Sequence, residues 1–70
     1  MKFKIGDVIT STRSKSKALV LDVDVNVYKL KIIKSKKFEA GFIDYFTKRY
    51  IDVQCVLSPK DMLQQRLRNG

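Results

Sequence analysis

The sequence contains no histidine, no tryptophan and a single cysteine, Cys55. Without histidine or a second cysteine, the chain cannot form an internal disulfide or a cysteine–histidine zinc cluster. The same absences exclude serine–histidine and cysteine–histidine nucleophile pairs. We therefore expect neither a metal nor another cofactor. Cys55 lies in a strand-like stretch and should fill the core, because free cysteine is among the most frequently buried residue types.

Glycine and proline are also scarce, with glycine only at positions 6, 41 and 70 and proline only at position 59. Glycines so far apart cannot make a glycine-rich phosphate-binding loop. No apolar run approaches the ~20 residues that a membrane-spanning helix needs, and no signal-peptide core follows Met1. A lone cysteine also suits a reducing compartment. These features predict a cytoplasmic protein without a membrane partner.

The acidic residues are not arranged for catalysis. Asp22 and Asp24 lie two residues apart on one predicted strand, but lysines expected opposite them account for both as ion-pair partners. The other carboxylates, including Glu39, Asp44 and Asp52, are scattered along the chain. Catalysis needs a nucleophile with a base, paired carboxylates in a cleft, or a metal. The sequence therefore predicts a binding protein and not an enzyme.

Positive charge is what the sequence has in excess. Fifteen lysines and arginines oppose seven acidic residues, which gives a formal net charge of +8 over 70 residues. The resulting field attracts polyanions and acidic proteins. We expect the partner to be nucleic acid, either DNA or RNA, or an acidic protein surface. A homodimer is compatible with both, because open strand edges can be completed by a second copy.

Alternation of apolar and polar residues predicts strands along most of residues 1–58. The first strand is expected at residues 3–10, entered through a bend at Gly6 and Asp7, and a β-hairpin is expected at residues 18–34. Residues 38–50 fit both a strand and a helix, and we interpret them as a strand followed by a short helical turn. A closing strand is expected at residues 53–57. A chain of this length supports one core, so these strands should form a single mostly β domain.

The hairpin is the clearest element, but two registers fit it. A turn at residues 26–27 places Asp24 opposite Lys29, whereas a turn at residues 25–26 places Asp22 opposite Lys29. Both registers pair apolar residues on one face and opposite charges on the other, which stabilises a sheet. The apolar face is predicted to consist of Leu19, Leu21, Val23 and Val25 with Tyr28, Leu30 and Ile32.

Two basic loops border the hairpin. The first basic loop, residues 11–17, has no apolar residue, and the second basic loop, residues 34–37, contains three lysines. Both should lie at the hairpin end opposite the turn, where their charges would form one patch for phosphates. Lysines on the hairpin face would extend that patch. The predicted nucleic-acid-binding basic residues are Arg13, Lys15, Lys17, Lys29, Lys31, Lys34, Lys36 and Lys37.

The aromatic residues Phe42, Tyr45, Phe46 and Tyr50 are candidates for stacking on bases. We expect most of them to lie in the core, because a chain without tryptophan needs their apolar area. Tyr45 is predicted to be the exposed exception and to join the binding residues.

The last twelve residues, 59–70, are predicted to form a short helix or tail. Ser58 and Pro59 make a typical helix start, with a serine cap followed by proline at the first helical position. The apolar side of this helix is narrow, which suits docking on a partner. Its predicted partner-binding residues are Met62, Leu63, Arg66 and Leu67.

Three segments together resemble the small SH3-like barrel proteins of bacteriophage, which open like KOW and Tudor-type barrels. They are Phe-Lys-Ile-Gly-Asp-Val-Ile at 3–9, Tyr-Lys-Leu-Lys-Ile-Ile at 28–33 and Tyr-Ile-Asp-Val-Gln-Cys-Val-Leu at 50–57. The resemblance implies a five-stranded antiparallel barrel at 1–58, and a host-cytoplasm location if the protein is phage-encoded. Many such proteins have no assigned activity, so no site residue is transferred. A phage accessory protein or inhibitor that docks on an acidic host or viral protein is the alternative to nucleic-acid binding.

Overall fold

The computed structural model describes residues 2–58. The predicted C-terminal helix at 59–70, with Met62, Leu63, Arg66 and Leu67, lies outside these residues. In the described part, no helix is long and apolar enough to cross a bilayer. The elements are β1 (Val8–Ser11), β2 (Lys17–Val23), β3 (Val27–Lys34), β4 (Ile43–Thr47), α1 (Lys48–Gln54) and β5 (Cys55–Leu57).

The five strands form one antiparallel sheet in the order β4-β3-β2-β1-β5. The predicted mostly β fold with five antiparallel strands is therefore confirmed. Among the described residues, strand pairing stops at β4 on one side and β5 on the other, so the sheet is open. Helix α1 connects these two outer strands and contacts β3, β4 and β5.

The strand predicted at residues 3–10 is present only from Val8, and the bend predicted at Gly6 and Asp7 is a turn in the segment before β1. Gly6 adopts a positive φ of 91°, a conformation that residues with a β-carbon rarely take. The buried Asp7 closes the turn, since its carboxylate accepts the Lys4 N–H at 3.0 Å. The Gly6 N–H donates to the Val20 carbonyl at 2.8 Å, which fixes the turn against β2. Regular pairing consequently begins only at Val8.

The hairpin takes the second of the two predicted registers near its turn, with Asp22 opposite Lys29 and Val23 opposite Tyr28. A bulge between Val20 and Asp22 then shifts the register by one residue. Because a one-residue shift reverses the face on which side chains lie, Val20 becomes the residue opposite Leu30.

The prediction that Leu19 and Leu21 lie on the apolar face of β2 is therefore wrong. Val20 and Ala18 are buried against β3, whereas Leu19 and Leu21 are only half-buried. Val25, at the turn, is exposed.

Residues 38–50 follow the predicted order of strand and then helix, but their boundaries differ. Gly41 has a φ of 93° and its N–H donates to the Ile32 carbonyl at 2.7 Å. This turn delays strand β4 to Ile43. Helix α1 then extends through residues 53 and 54, which the sequence predicts to belong to the closing strand. Strand β5 is correspondingly shorter, at Cys55–Leu57.

A polar contact fastens α1 to the core. Tyr28 is fully buried, and its hydroxyl donates to the Asp52 carboxylate at 2.6 Å. The Phe3 N–H donates to the same hydroxyl at 3.4 Å. Burial, reinforced by the hydrogen bond to Asp52, raises the pKa of Tyr28. The ammonium of Lys2 adds a bond to the Asp52 carbonyl at 2.7 Å, so the N-terminal segment, β3 and α1 are joined at one point.

Candidate functional site

The two basic loops lie side by side, as their positions in the hairpin predict. The Ser16 hydroxyl in the first loop donates to the Ser35 hydroxyl in the second loop at 3.3 Å. Lys17 and Lys34, at the adjoining strand ends, are opposite each other in the ladder. Positive charge from two distant parts of the sequence is thus brought to one end of the sheet.

Serine side chains organise the first basic loop. The Ser14 N–H donates to the Ser11 hydroxyl at 3.4 Å, and the Ser14 hydroxyl donates to that of Ser16 at 2.9 Å. The Ser16 hydroxyl continues this chain to Ser35. Short side chains that bond locally in this way stabilise turns, which explains why serine alternates with basic residues here.

Ser35 fixes the second basic loop. Its hydroxyl accepts the N–H groups of Lys37 at 3.0 Å and Phe38 at 3.2 Å. The same oxygen accepts a hydrogen bond from the Ser16 hydroxyl. The backbone that carries Lys37 is therefore ordered by a contact that also joins the two loops.

Lys15 has an unusual backbone conformation in the first loop. Its φ of 62° lies in the left-handed region, where a residue with a β-carbon is disfavoured by about 1–2 kcal/mol. Its N–H donates to the Ser11 carbonyl at 3.0 Å, and the Ser11 N–H donates to the Ser16 carbonyl at 2.8 Å. These bonds hold Lys15 in the disfavoured conformation at an exposed position.

We expect Lys15→Gly to increase the free energy of unfolding by about 0.5 kcal/mol. Glycine removes the left-handed penalty but loses part of the gain to the greater freedom of the unfolded chain. Lys15→Ala is the matched control, since it removes the same charge and keeps the β-carbon. Urea unfolding of both variants checks the prediction, and equal stability of the two would contradict it.

A groove of about 430 Å³ lies between the two basic loops and helix α1. The exposed and half-buried polar residues that line it form its rim, and they include Ser14, Ser16, Ser35, Lys17, Lys36 and Lys37. Its floor is made of buried core residues from four strands and α1, namely Ile9, Ala18, Leu30, Ile32, Ile51 and Cys55. The groove therefore combines an apolar base with a basic, hydroxyl-rich rim.

The aromatic residues are more exposed than the sequence predicted. Tyr45 is 58% exposed, which confirms its prediction as an exposed residue, but Tyr50 is 60% and Phe42 41% exposed. Of the four candidates, only Phe46 packs against the core. The assignment of most of them to the core is wrong, because Phe3 and Tyr28 already supply large buried rings there.

One wall of the groove is aromatic. Phe38, Phe46 and Tyr50 line it. Phe38 stacks on Phe42 with parallel rings 5.2 Å apart and meets Phe46 edge-on at 6.1 Å. The ammonium of Lys37 lies 5.7 Å from the centre of the Phe38 ring. An aromatic surface and a cation are thus placed together at the groove.

The predicted binding residues fall into separate regions. Lys17, Lys36 and Lys37 line the groove. Lys29 and Tyr45 are opposite each other in β3 and β4, with the ammonium 5.9 Å from the ring centre. These two side chains and Lys31 are not among those that line the groove. Arg13, Lys15 and Lys34 belong to the same two basic loops as the groove lysines. They are exposed, but they do not line the groove either.

Several groove residues were not predicted as binding residues. The sequence predicts Phe38 only as part of a strand, and the serines of the two loops only as solvated loop residues. Their alternation with lysine in Ser14-Lys15-Ser16-Lys17 and Ser35-Lys36 was the available signal. The apolar floor had no local signal, since it is assembled from residues far apart in the chain.

Cys55 lies at the groove floor and is 7% exposed, which confirms its prediction as a core residue. Burial raises the pKa of its thiol, against a smaller opposing effect of the Lys2 charge. Since the thiolate is the reactive form, this thiol is poorly suited to nucleophilic chemistry near neutral pH.

No protein-family model, curated protein or solved structure matches the chain.

Proposed function

We propose that this protein is a non-enzymatic binding module that holds nucleic-acid phosphates along the rim of the groove, with little sequence specificity. The observation that carries this proposal is the meeting of two basic loops, with Lys17, Lys36 and Lys37 on the rim of a single groove. Lysine ammonium groups neutralise phosphates and release counterions, which gives sequence-independent affinity.

The rest of the rim supports phosphate contacts. Serine hydroxyls and backbone N–H groups commonly bond phosphate oxygens, and three serines lie at this rim. Base readout typically uses rows of arginine, asparagine and glutamine, and among the described residues that line the groove only Gln54 is of these types. The site therefore favours binding to the backbone over reading of sequence.

We also propose that the open sheet forms the wall of an SH3-like barrel, as the resemblance to the small phage proteins implies. Three features support this. All five strands contribute residues to a single core, β2 has a bulge between Val20 and Asp22, and α1 contacts both outer strands, β4 and β5. In such a barrel the groove is the opening at one end.

A salt series with arbitrary-sequence nucleic acid, in duplex and single-stranded forms, tests the proposed function. We expect binding at low salt. The logarithm of the association constant should fall linearly with the logarithm of the salt concentration, with a slope of about −0.9 per duplex phosphate or −0.7 per single-strand phosphate neutralised. A fluorescent probe followed by anisotropy measures it. Absence of binding at low salt, where a +8 protein has its greatest electrostatic advantage, would reject the proposal.

Docking on an acidic host or viral protein is a second candidate function. The observation that favours it is the exposed apolar surface of Val53, Val56 and Leu57 in α1 and the short outer strand β5. Apolar contacts would share the binding energy with charge, so a stoichiometric complex with weak salt dependence is expected. The salt series therefore separates this function from phosphate binding.

A further inference from the structure

We propose that the groove accepts an unpaired nucleobase, so that the nucleic acid bound is single-stranded. This inference rests on the proposed function and specifies its ligand. Three features of the groove carry it: the apolar floor, the aromatic wall and the position of cations relative to both.

The size and lining of the groove suit a flat aromatic ligand. Its volume of about 430 Å³ falls within the range of small-molecule sites, roughly 300–1,000 Å³. Phe38, Phe46 and Tyr50 are among its lining residues, Tyr50 being the most exposed of the three rings at 60%, and buried aliphatic residues form the base. Base stacking on aromatic side chains is tolerant of sequence, because every base has a π face.

The polar rim suits the remaining parts of a nucleotide. Lys36 and Lys37 are exposed at the rim, with the Lys37 ammonium 5.7 Å from the centre of the Phe38 ring, so both can contact the phosphates that flank an inserted base. The hydroxyls of Ser14 and Ser16 donate their own protons to Ser16 and Ser35, and each can still accept an N–H from a base edge. A fatty or purely apolar ligand would leave these groups unused, and a simple anion would leave the apolar floor unused.

Double-stranded nucleic acid cannot use the groove in the same way. Its bases are paired and stacked, and extruding one costs free energy that a single strand does not spend. A duplex can therefore contact only the rim lysines, whereas a single strand can contact the rim and the aromatic wall. The structure accordingly favours single strands over duplexes of the same length.

A short oligothymidylate and an abasic strand of equal length test the inference directly, because the two carry the same phosphates. We expect the oligothymidylate to bind about 5- to 150-fold more tightly, which corresponds to the stacking of one base. Anisotropy at fixed salt measures both affinities. Equal affinity of the two strands, or tighter binding of a duplex, would overturn base insertion while leaving phosphate binding intact. No binding of either strand would overturn the proposed function itself.

Two tyrosines supply matched variants. Tyr50 lines the groove, whereas Tyr45 lies on β4 outside it, and the two are exposed to the same degree, 60% and 58%. Tyr50→Ala should remove most of the preference for oligothymidylate over the abasic strand, and Tyr45→Ala should retain it. Because both residues are exposed, neither substitution removes a buried ring. The opposite pattern would place the base on the outer face of the sheet.

Cys55 provides a readout that does not depend on affinity. Its thiol is buried at the groove floor and has a raised pKa, so its reaction with a small alkylating reagent is followed at alkaline pH, where an inserted base should slow it. Saturating oligothymidylate should slow the reaction several-fold more than saturating abasic strand. Equal protection by the two strands would indicate that the base stays outside the groove.

Discussion

Replacing Lys36 and Lys37 with glutamine should lower the affinity for an arbitrary single strand about 60-fold at ~50 mM salt. Each lysine that neutralises a single-strand phosphate contributes about 0.7 to the salt slope, so the pair contributes about 1.4. If the affinities converge near ~1 M salt, a slope difference of this size gives the stated loss at ~50 mM. Anisotropy titrations across a salt series measure both the loss and the change in slope.

Lys29→Gln with Lys31→Gln is the matched control for that variant. It removes the same two charges from the outer face of β3, where these lysines do not line the groove. Its affinity should stay within about threefold of the parent protein, since salt screens charges that do not contact the strand. Equal losses in the two double variants would mean that net charge, and not the groove rim, determines binding.

Tyr28→Phe should lower the free energy of unfolding by about 1.5 kcal/mol near neutral pH. The substitution removes the 2.6 Å hydrogen bond to the Asp52 carboxylate that fastens α1 to β3. Hydrogen bonds to charged groups contribute roughly 1.5–3 kcal/mol, and the low end applies because Asp52 is only half-buried. Urea unfolding measures the difference. Tyr45→Phe, at an exposed position, should change stability by less than about 0.5 kcal/mol.

The loss in free energy of unfolding that Tyr28→Phe causes should become smaller above about pH 10. The pKa of Tyr28 is raised in the folded protein, whereas in the unfolded chain it is near its ordinary value of 10.0. Above that pH the unfolded chain loses a proton that the folded protein keeps, so the stability of the parent protein falls as pH rises. The phenylalanine variant lacks this loss, and Cys55 affects both proteins alike. If the difference in free energy of unfolding between the parent protein and the variant stayed constant up to high pH, it would contradict the raised pKa of Tyr28.

The hairpin illustrates how far the sequence predicts the fold. Alternation in β2 and β3 identified both strands, and the pairing of Asp22 with Lys29 was one of two predicted registers. The bulge could not be predicted, because Val20 and Leu21 are both apolar and either can occupy the core face. A shift of one residue therefore left the pattern of residue types almost unchanged.

Helix α1 was predicted only as a short turn, for a related reason. Its N-cap residue, Thr47, makes no side-chain capping hydrogen bond, and its first turn has no acidic residue. Ile51 is its one buried residue, so apolar periodicity is weak as well. The helix depends on tertiary contacts, such as that between Asp52 and Tyr28, which are not visible in local sequence.

The site was predictable where it depends on charge and not where it depends on burial. A run of lysine and serine without apolar residues identified both loops, and the hairpin geometry placed them at the same end. The groove between them requires Leu30, Ile51 and Cys55 to meet from distant segments. The exposure of Tyr50 likewise depends on how completely Phe3 and Tyr28 fill the core, which composition alone does not determine.

The most direct test of the account is an amide chemical-shift titration of the isotope-labelled protein with a short single strand. We expect the largest shifts at the groove rim and its aromatic wall, at Ser16, Lys36, Lys37, Phe38 and Tyr50. Saturable shifts at these positions that weaken with salt would agree with phosphate binding at the groove. Shifts confined to the outer face around Lys29, Lys31 and Tyr45, or no shifts at low salt, would contradict it.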